Sequence, residues 1–577
     1  MKYTSERNHQ ILLELLKRNG IKKIVTSPGG TNVTFVASVQ RDPFFELYSS
    51  VDERSAAYIA CGMAEESGEP VVLSCTGATA ARNYFSGLTE AFYRKLPILA
   101  VTSTMPTERI GHAFPQATDR SVLSKDIAKC SVLLPIVKDA EDEWACTVRC
   151  NEAILELRHN GNGPVHINLE TTGAVFDATE IKPVRYINRI KEHDIFPKLN
   201  ATKIAIFVGA HSIWSDELVK NVDDFCEKYN AVVIVDHTSN YSGKYGVLGS
   251  LITSQLMYKA ECTNIDLLIH IGNISGAYIN LHPQRVWRVN EDGKIVDYFK
   301  KLENVFETDE LTFFKAYNSL ATKKGTLSYF DEWKTEYVRL LEKIPEIPYS
   351  NIWVAKELSK ALPQKCVLHL GILNSLRSWN FFKIDTTIRA YSNTGGFGID
   401  GCVSSLLGAA LASPQKTFYG IVGDLAFFYD MNVLGNRYFP GNVRLIIINN
   451  GKGQEFKNLS SAASRFGDDT DPYIAAAGHF GNRSRTLIKD YVSNLGFEYL
   501  TADSKETFNK AKERFLTAPS KDGKAIVFEI FTTTEDETVA LNTLQNLEQS
   551  TKENVKQFAK QILGDKGVKA FKDILKR

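Results

Sequence analysis

The nine cysteines of this sequence include no Cys-x-x-Cys pair, which excludes the common zinc and thiol-redox motifs. Cys146 and Cys150 stand four apart on an expected helix, but two thiols without a neighbouring histidine do not complete a zinc site. Buried, reduced thiols in a cytoplasmic enzyme are expected instead. Neither sign of charge is in excess: 68 Lys and Arg oppose 67 Asp and Glu. No bulk field therefore draws nucleic acid or an anionic membrane, and neither is an expected partner. No apolar run approaches membrane-spanning length. Residues 1–10 carry no signal-peptide hydrophobic core. In the central block the Gly-x-Gly-x-x-Gly dinucleotide fingerprint is missing too, and Gly209-Ala210-His211-Ser212 does not supply it.

What is present is an alternation of short β-branched runs and helical periods over 577 residues, long enough for about three domains. The pattern predicts an α/β fold of parallel sheets flanked by helices. Its most informative stretch is Gly423–Phe456. The apolar run Phe418–Val422 stops at Gly423-Asp424, and Val443–Ile448 stops at Asn449-Asn450-Gly451. Both read as buried parallel strands. Leu425–Phe439 reads as the connecting helix, with Phe427, Phe428, Met431, Leu434 and Tyr438 apolar. Asp424 and Asn450 then stand past the carboxyl ends of two strands, where open α/β sheets bind ligands. A carboxylate and a carboxamide are hard donors suited to Mg²⁺, which completes its shell from phosphate and water. A helix starting at Leu425 adds amide donors for an anion. The pair reads as a Mg²⁺-bridged diphosphate site or, more plainly, as a helix cap and an Asn-Gly turn.

The N-terminal block reads likewise. Residues 5–19 form an amphipathic helix, followed by strands at Ile24-Val25, Phe45–Ser50, Val71–Cys75 and Ile98–Thr102. The loops Ser27–Gly30, Asp52-Glu53 and Thr76–Thr79 end on one sheet edge. Glu53 is the carboxylate placed there at a helix start, where it binds a ligand or merely complements the helix dipole.

The segments SPGG (27–30), VDERSAAYIACGMA (51–64), CTGATAARNYF (75–85), SNTGGFGIDG (392–401), GDLAFFYD (423–430) and NNGKGQEF (449–456) resemble the thiamine-diphosphate (ThDP) enzymes. Among these they are most similar to the menaquinone-pathway SEPHCHC synthases, which join a decarboxylated 2-oxo acid to isochorismate. The resemblance runs from about residue 5 to about residue 535. It implies three domains: pyrimidine-binding (1–182), central (190–325) and diphosphate-binding (350–540). Glu53 would hydrogen-bond the aminopyrimidine and so drive loss of the thiazolium C2 proton. Gly29, Gly30, Thr76 and Asn83 would line that half of the cofactor. Ile399, beside Gly398, would wedge the cofactor into a bent shape. Asp424, Asn450 and the Lys452 carbonyl would hold Mg²⁺, with Gly423 and Leu425 against the diphosphate. Gln116, a second catalytic candidate, lines the pocket with Asn374 and Ser375, and Gln454 and Phe456 close over it. Glu53 and Asp424 would meet across a subunit interface, implying a homodimer or homotetramer.

Residues 183–200 read as a linker, and Ile204–Val208, Val232–Val235 and Leu267–Ile271 as strands of the central domain. Related acetolactate synthases hold FAD there; nothing in this sequence supports it, and no FAD is expected. Residues 325–348 read as a second linker containing a helix, and 541–577 as a charged helical tail.

The substrate clamp departs from the family. Its Ser-Arg after Ser-Pro-Gly is Gly30-Thr31. Its other basic positions fall on Met105, Ala277-Tyr278, Thr394 and Trp379. Each buried charge-assisted pair is worth ~1.5–3 kcal/mol, so losing several would cost orders of magnitude in affinity. The expected reaction is decarboxylation of a smaller 2-oxo acid, with carboligation to an acceptor other than isochorismate. Plain decarboxylation, the authentic synthase and a non-catalytic ThDP-binding scaffold are alternatives. Arg109 and Arg377 are candidates for a donor carboxylate, or ordinary supporting arginines.

Overall fold

The computed structural model describes residues 3–173, 175–321, 326–458, 461–479, 484–517 and 523–548. The chain divides into two compact units, one of Met1–Phe196 with Asp292–Glu307, the other of Pro197–Glu291 with the chain from Thr308 on. Among the described residues the strands build three sheets.

In the first unit β1 (Lys23–Thr26), β2 (Glu46–Ser49), β3 (Val71–Thr76), β4 (Ile98–Thr104), β5 (Ser131–Leu134) and β6 (Val165–Glu170) form one parallel sheet in the order β2-β1-β3-β4-β6-β5. β4 and β6 are buried along their whole length, as strands covered on both faces must be. Cys146 and Cys150 face the core from the helix Ala140–Glu156. Burial pushes the Cys146 thiol up to about 12, so these cysteines are inert packing. β7 (Asn188–Lys191) lies inside the segment expected to be a linker.

The second unit carries β8 (Ile204–Val208), β9 (Ala231–Val235), β10 (Gly246–Leu248), β11 (Asn264–Ile271) and β12 (His282–Val289), parallel in the order β10-β9-β8-β11-β12. In the first unit β13 (Leu302–Glu307) pairs with β7 in parallel, which explains why residues 183–200 are not a free connection. The second unit continues with β14 (Val367–Leu370), β15 (Arg389–Tyr391), β16 (Phe418–Gly423), β17 (Val443–Asn449), β18 (Glu498–Ala502) and β19 (Ile526–Phe531). Their order is β15-β14-β16-β17-β19-β18, again all parallel. The fold is α/β with parallel sheets flanked by helices.

The helix expected over Leu425–Phe439 is shorter. An α-helix covers Asp424–Asp430 and tightens to a 3₁₀ turn over Met431–Gly435. Asp430 accepts from the Ser404 amide and hydroxyl, both at 2.6 Å, and Gly435-Asn436 ends the turn. Tyr438, expected in the core, is exposed, with Arg437 over its ring. The expected tail lies outside the described residues from 549 onward. No described helix is long and apolar enough to cross a membrane.

One close approach holds the Glu53 helix in place. In Glu53–Ser67 the residues Ala56, Ala57, Ala60 and Ala64 are buried. A Cβ added at Gly87, on the facing helix Phe85–Arg94, would lie 2.4 Å from the Ala57 Cβ. Small residues on both helices are therefore required. Gly87→Ala should destabilise the protein by ~1–3 kcal/mol, measured as a lower thermal midpoint.

Candidate functional site

In the first unit the loops after β1, β2 and β3 carry the predicted residues. Asp52 caps the helix that begins at Glu53, accepting from the Arg54 amide at 3.2 Å and the Ser55 hydroxyl at 2.8 Å. This fixes Glu53 at the first helical position, half-buried, where the Asn83 amide nitrogen donates to its Oε2 at 3.0 Å. Glu53 and Asn83 are thus together. Gly29 packs against Thr76: an added Cβ would sit 2.5 Å from the Thr76 Cβ. Beside it Thr31 and Thr76 share a hydroxyl–hydroxyl bond of 2.6 Å, and the Thr31 hydroxyl donates to the Ser103 carbonyl at 3.0 Å. Gly30 faces open space. Gln116 stands apart, exposed on a loop with φ of 63°.

In the second unit three neighbouring strands, β14, β16 and β17, end in the loops that hold the remaining residues. Asp424 follows β16 directly and is 4% exposed. Its Oδ1 accepts from the Leu425 amide and its Oδ2 from the Gly451 amide, both at 3.0 Å. Burial pushes its carboxyl from 3.8 up to about 7, against the pull of those amides. Gly451, with φ of 80°, makes the turn that brings its amide there. The Asn450 Oδ1 accepts from the Lys452 amide at 3.3 Å. The Lys452 ammonium is taken by Asp471 at 2.6 Å, so its charge is compensated within the loop. Leu425 and Phe456 converge on Gly453, whose added Cβ would lie 3.4 Å from a Leu425 methyl and 3.0 Å from the Phe456 ring.

These residues fit a divalent cation. A buried carboxylate with two amide partners and, among the described residues, no cationic one carries a desolvation cost that a metal would remove. The donors offered are one carboxylate, one carboxamide and backbone carbonyls, the oxygen set that suits Mg²⁺. The helix start at Asp424, with seven residues, supports the turn rather than forming an anion site alone.

Asn374 and Ser375 open the short helix after β14. It starts behind Leu373, held at φ 69° and ψ −119°. Ala78 shows the same conformation, at 58° and −127°, before the helix after β3. Neither residue is glycine, and nothing in their sequence signalled this strain. Ser375 is buried and accepts from Asn351 at 3.4 Å; the Asn351 amide donates to Glu537 at 2.8 Å. Gln454 is buried and donates to the Thr538 hydroxyl at 3.0 Å. Asn351, Glu537, Thr538 and Asn458 support the predicted residues and were missed, because they lie far off in sequence and belong to no motif. Ile399 is half-buried against the core that includes Cys402 and Phe428. Gly398 lies beside Asp400.

The altered clamp positions are distinct in kind. Thr31 belongs to the hydroxyl network above. Met105 accepts a 3.3 Å bond from Arg109, which lies over the Phe114 ring. Trp379 is fully buried. Thr394 is buried too. Arg377 is paired with Glu455 and lies over the Tyr278 ring. A cavity of about 300 Å³, lined by His237, Lys244, Lys334 and Arg389 among others, contains none of the predicted residues.

The buried carboxyls generate a pH dependence with a definite sign. Asp424 and Glu537 are both pushed up to about 7 by burial. Below the ordinary carboxylate range neither group costs anything; as pH rises from there to about 7 the unfolded chain ionises while the folded one does not, so stability falls and levels off above about 7. The cofactor-free protein should melt lower at pH 8 than at pH 5.5. A divalent cation taken up by these oxygen donors would raise the midpoint more at pH 8, and Asp424→Asn should remove much of that difference. Calorimetry across the four conditions measures it; equal gains at both pH values in the wild type would contradict it.

Residues 7–123 match the family model of the thiamine pyrophosphate enzyme N-terminal TPP-binding domain. The 2-succinyl-5-enolpyruvyl-6-hydroxy-3-cyclohexene-1-carboxylate synthase of Phocaeicola vulgatus is 31% identical over 564 residues, covering 93% of this chain and 98% of its own. The synthase of the same name from Bacteroides fragilis is 29% identical over 551 residues, covering 92% and 97%. Among solved structures, the Rhodococcus jostii RHA1 thiamine diphosphate-dependent 4-hydroxybenzoylformate decarboxylase aligns with a TM-score of 0.40 at 15% identity, covering 91% of this chain and 99% of that one. By its identity to these synthases over nearly their whole length, the chain belongs to the thiamine-diphosphate-dependent enzymes, in the family of the 2-succinyl-5-enolpyruvyl-6-hydroxy-3-cyclohexene-1-carboxylate synthases.

Proposed function

We propose that the protein catalyses ThDP- and Mg²⁺-dependent decarboxylation of a 2-oxo acid and transfers the resulting acyl unit to an acceptor, forming a C–C bond. The observation that carries this reading is Asp424, a buried carboxylate held up to about 7 at a strand end beside the Asn450–Lys452 turn. ThDP supplies the electron sink that makes loss of CO₂ possible. Glu53 is assigned the proton relay at the aminopyrimidine, with Asn83 fixing its orientation through the 3.0 Å bond. Asp424, the Asn450 side chain and the Lys452 carbonyl would hold the cation, with Leu425 and Phe456 beside it at Gly453. Asn374, Ser375, Gln454 and Gln116 are assigned to the substrate side, and Ile399 to the bend of the cofactor. The three-domain division and the homodimer or homotetramer belong to the same proposal.

The donor and acceptor differ, in this reading, from those of the SEPHCHC synthases. The support is chemical: where the family uses arginines, this chain has a threonine in a hydroxyl network, a methionine, a fully buried tryptophan and a buried threonine. A polyanionic substrate left unpaired there would bind poorly. The second reading is the relatives' own reaction, favoured by 31% identity over 98% of such a synthase.

A panel of 2-oxo acids, read by CO₂ release with and without acceptors, separates these. Small donors should turn over, ligated product should exceed free aldehyde, and Glu53→Gln should lower CO₂ release by ~100-fold or more. Efficient turnover of 2-oxoglutarate with isochorismate would overturn the changed-substrate reading. Undiminished release from Glu53→Gln would remove that residue from the mechanism.

A further inference from the structure

Arg377 is one of two arginines that the sequence offers for a substrate carboxylate. In the structure its guanidinium already holds one. Arg377 lies on the helix Asn374–Trp379, two residues from Ser375, and its Nη1 donates to Glu455 Oε1. Glu455 sits between Gln454 and Phe456 in the 3₁₀ turn Gln454–Lys457. Its other oxygen accepts from Asn458 at 3.2 Å, and Asn458 also donates to Asn374 at 3.4 Å. The guanidinium is fixed from a second side by Tyr278, whose ring centroid lies 5.0 Å away and which stacks on Phe381 at 6.1 Å. Among the described residues the buried Arg377 Nε has no hydrogen-bond partner. The pair is not sealed off: the side chains are 19% and 28% exposed.

We propose that Glu455 is a specificity-determining residue, whose carboxylate fills the place beside Arg377 that a second carboxylate on the donor would take. The inference rests on the reaction proposed above. A dicarboxylic donor would have to displace Glu455 and leave that charge unpaired near Arg377's ring support. A donor with an uncharged side chain meets no such cost. This is selection by an occupied position, which discriminates against the wrong ligand more than it attracts the right one. The arrangement is fixed on both partners, Glu455 by Asn458 and Arg377 by Tyr278, so the guanidinium is not free to turn toward another anion.

The consequence is a gain of function. In the ThDP–Mg²⁺ holoenzyme, Glu455→Gln leaves only a neutral amide beside Arg377, which a donor carboxylate displaces at far lower cost than the ionised Glu455. The ratio of kcat/KM for 2-oxoglutarate over pyruvate should rise ~10- to 100-fold, the range of one charge-assisted hydrogen bond. Arg377→Met removes the pair from its other side and should give no such rise. A ratio that is unchanged or lower in Glu455→Gln, or that rises equally in both variants, overturns the proposal. A binding measurement separates this from the reading of the reaction. Glutarate, which has no reacting carbonyl, should raise the thermal midpoint of Glu455→Gln holoenzyme and leave that of the wild type unmoved. If no 2-oxo acid releases CO₂ from any variant, the proposed reaction fails while the glutarate result still decides the role of Glu455. Equal protection of wild type and variant, or of neither, overturns that role.

Discussion

A carboxylate taken out of water at the end of a parallel strand is the constraint on which the second unit's candidate site depends. Asp424 is 4% exposed and receives two backbone amides, but no cation among the described residues pairs with it. Two amide bonds do not offset burial, which is why its carboxyl is held near 7. The strands explain how such a group is tolerated. β16 and β17 bury every core-facing side chain of the segment, and the cost is borne by packing that extends across the sheet. Glu529, itself bonded to Asn449 at 2.7 Å and raised by burial, adds a negative neighbour to Asp424. Ionising Asp424 here is costly, and a cation bound beside it would offset that cost.

The loops around that carboxylate are shaped by backbone as much as by side chains. Gly451 turns so that its amide reaches Asp424, and Lys452 is tied down by Asp471, which also holds Lys457 at 2.9 Å. Leu373 and Ala78 adopt a region of φ and ψ that ordinarily belongs to glycine, each one residue before a helix that follows a strand. Strain of this kind persists when the surrounding packing dictates it. That it recurs at equivalent places in both units indicates one way of ending a strand, used twice.

Much of this was legible in the sequence. β-branched runs bounded by Gly, Asp and Asn located β3, β4, β8, β16 and β17 to within a residue or two, because buried parallel strands carry little else. The close approach of Gly87 to Ala57 emerges only from the packing of the two helices. Motifs placed Asp424, Asn450 and Glu53 at strand ends. Less visible were features made by tertiary contact. Tyr438 was misjudged because an aromatic residue reads the same whether it reaches the core or the surface. The linker reading of residues 183–200 missed β7, since its partner β13 lies more than a hundred residues away. The pairing of Glu455 with Arg377 is likewise a tertiary contact. Sequence spacing cannot show that a guanidinium is already engaged.

The central claim is that Asp424 is protonated near neutrality without a cation and ionised with one. Calorimetric titration of ThDP and Mg²⁺ in buffers of different ionisation enthalpy counts the protons released on binding. At pH 6 the wild type should release close to one proton more than Asp424→Asn, the excess shrinking toward zero above pH 8. Equal proton release from the two proteins at pH 6 would contradict the account.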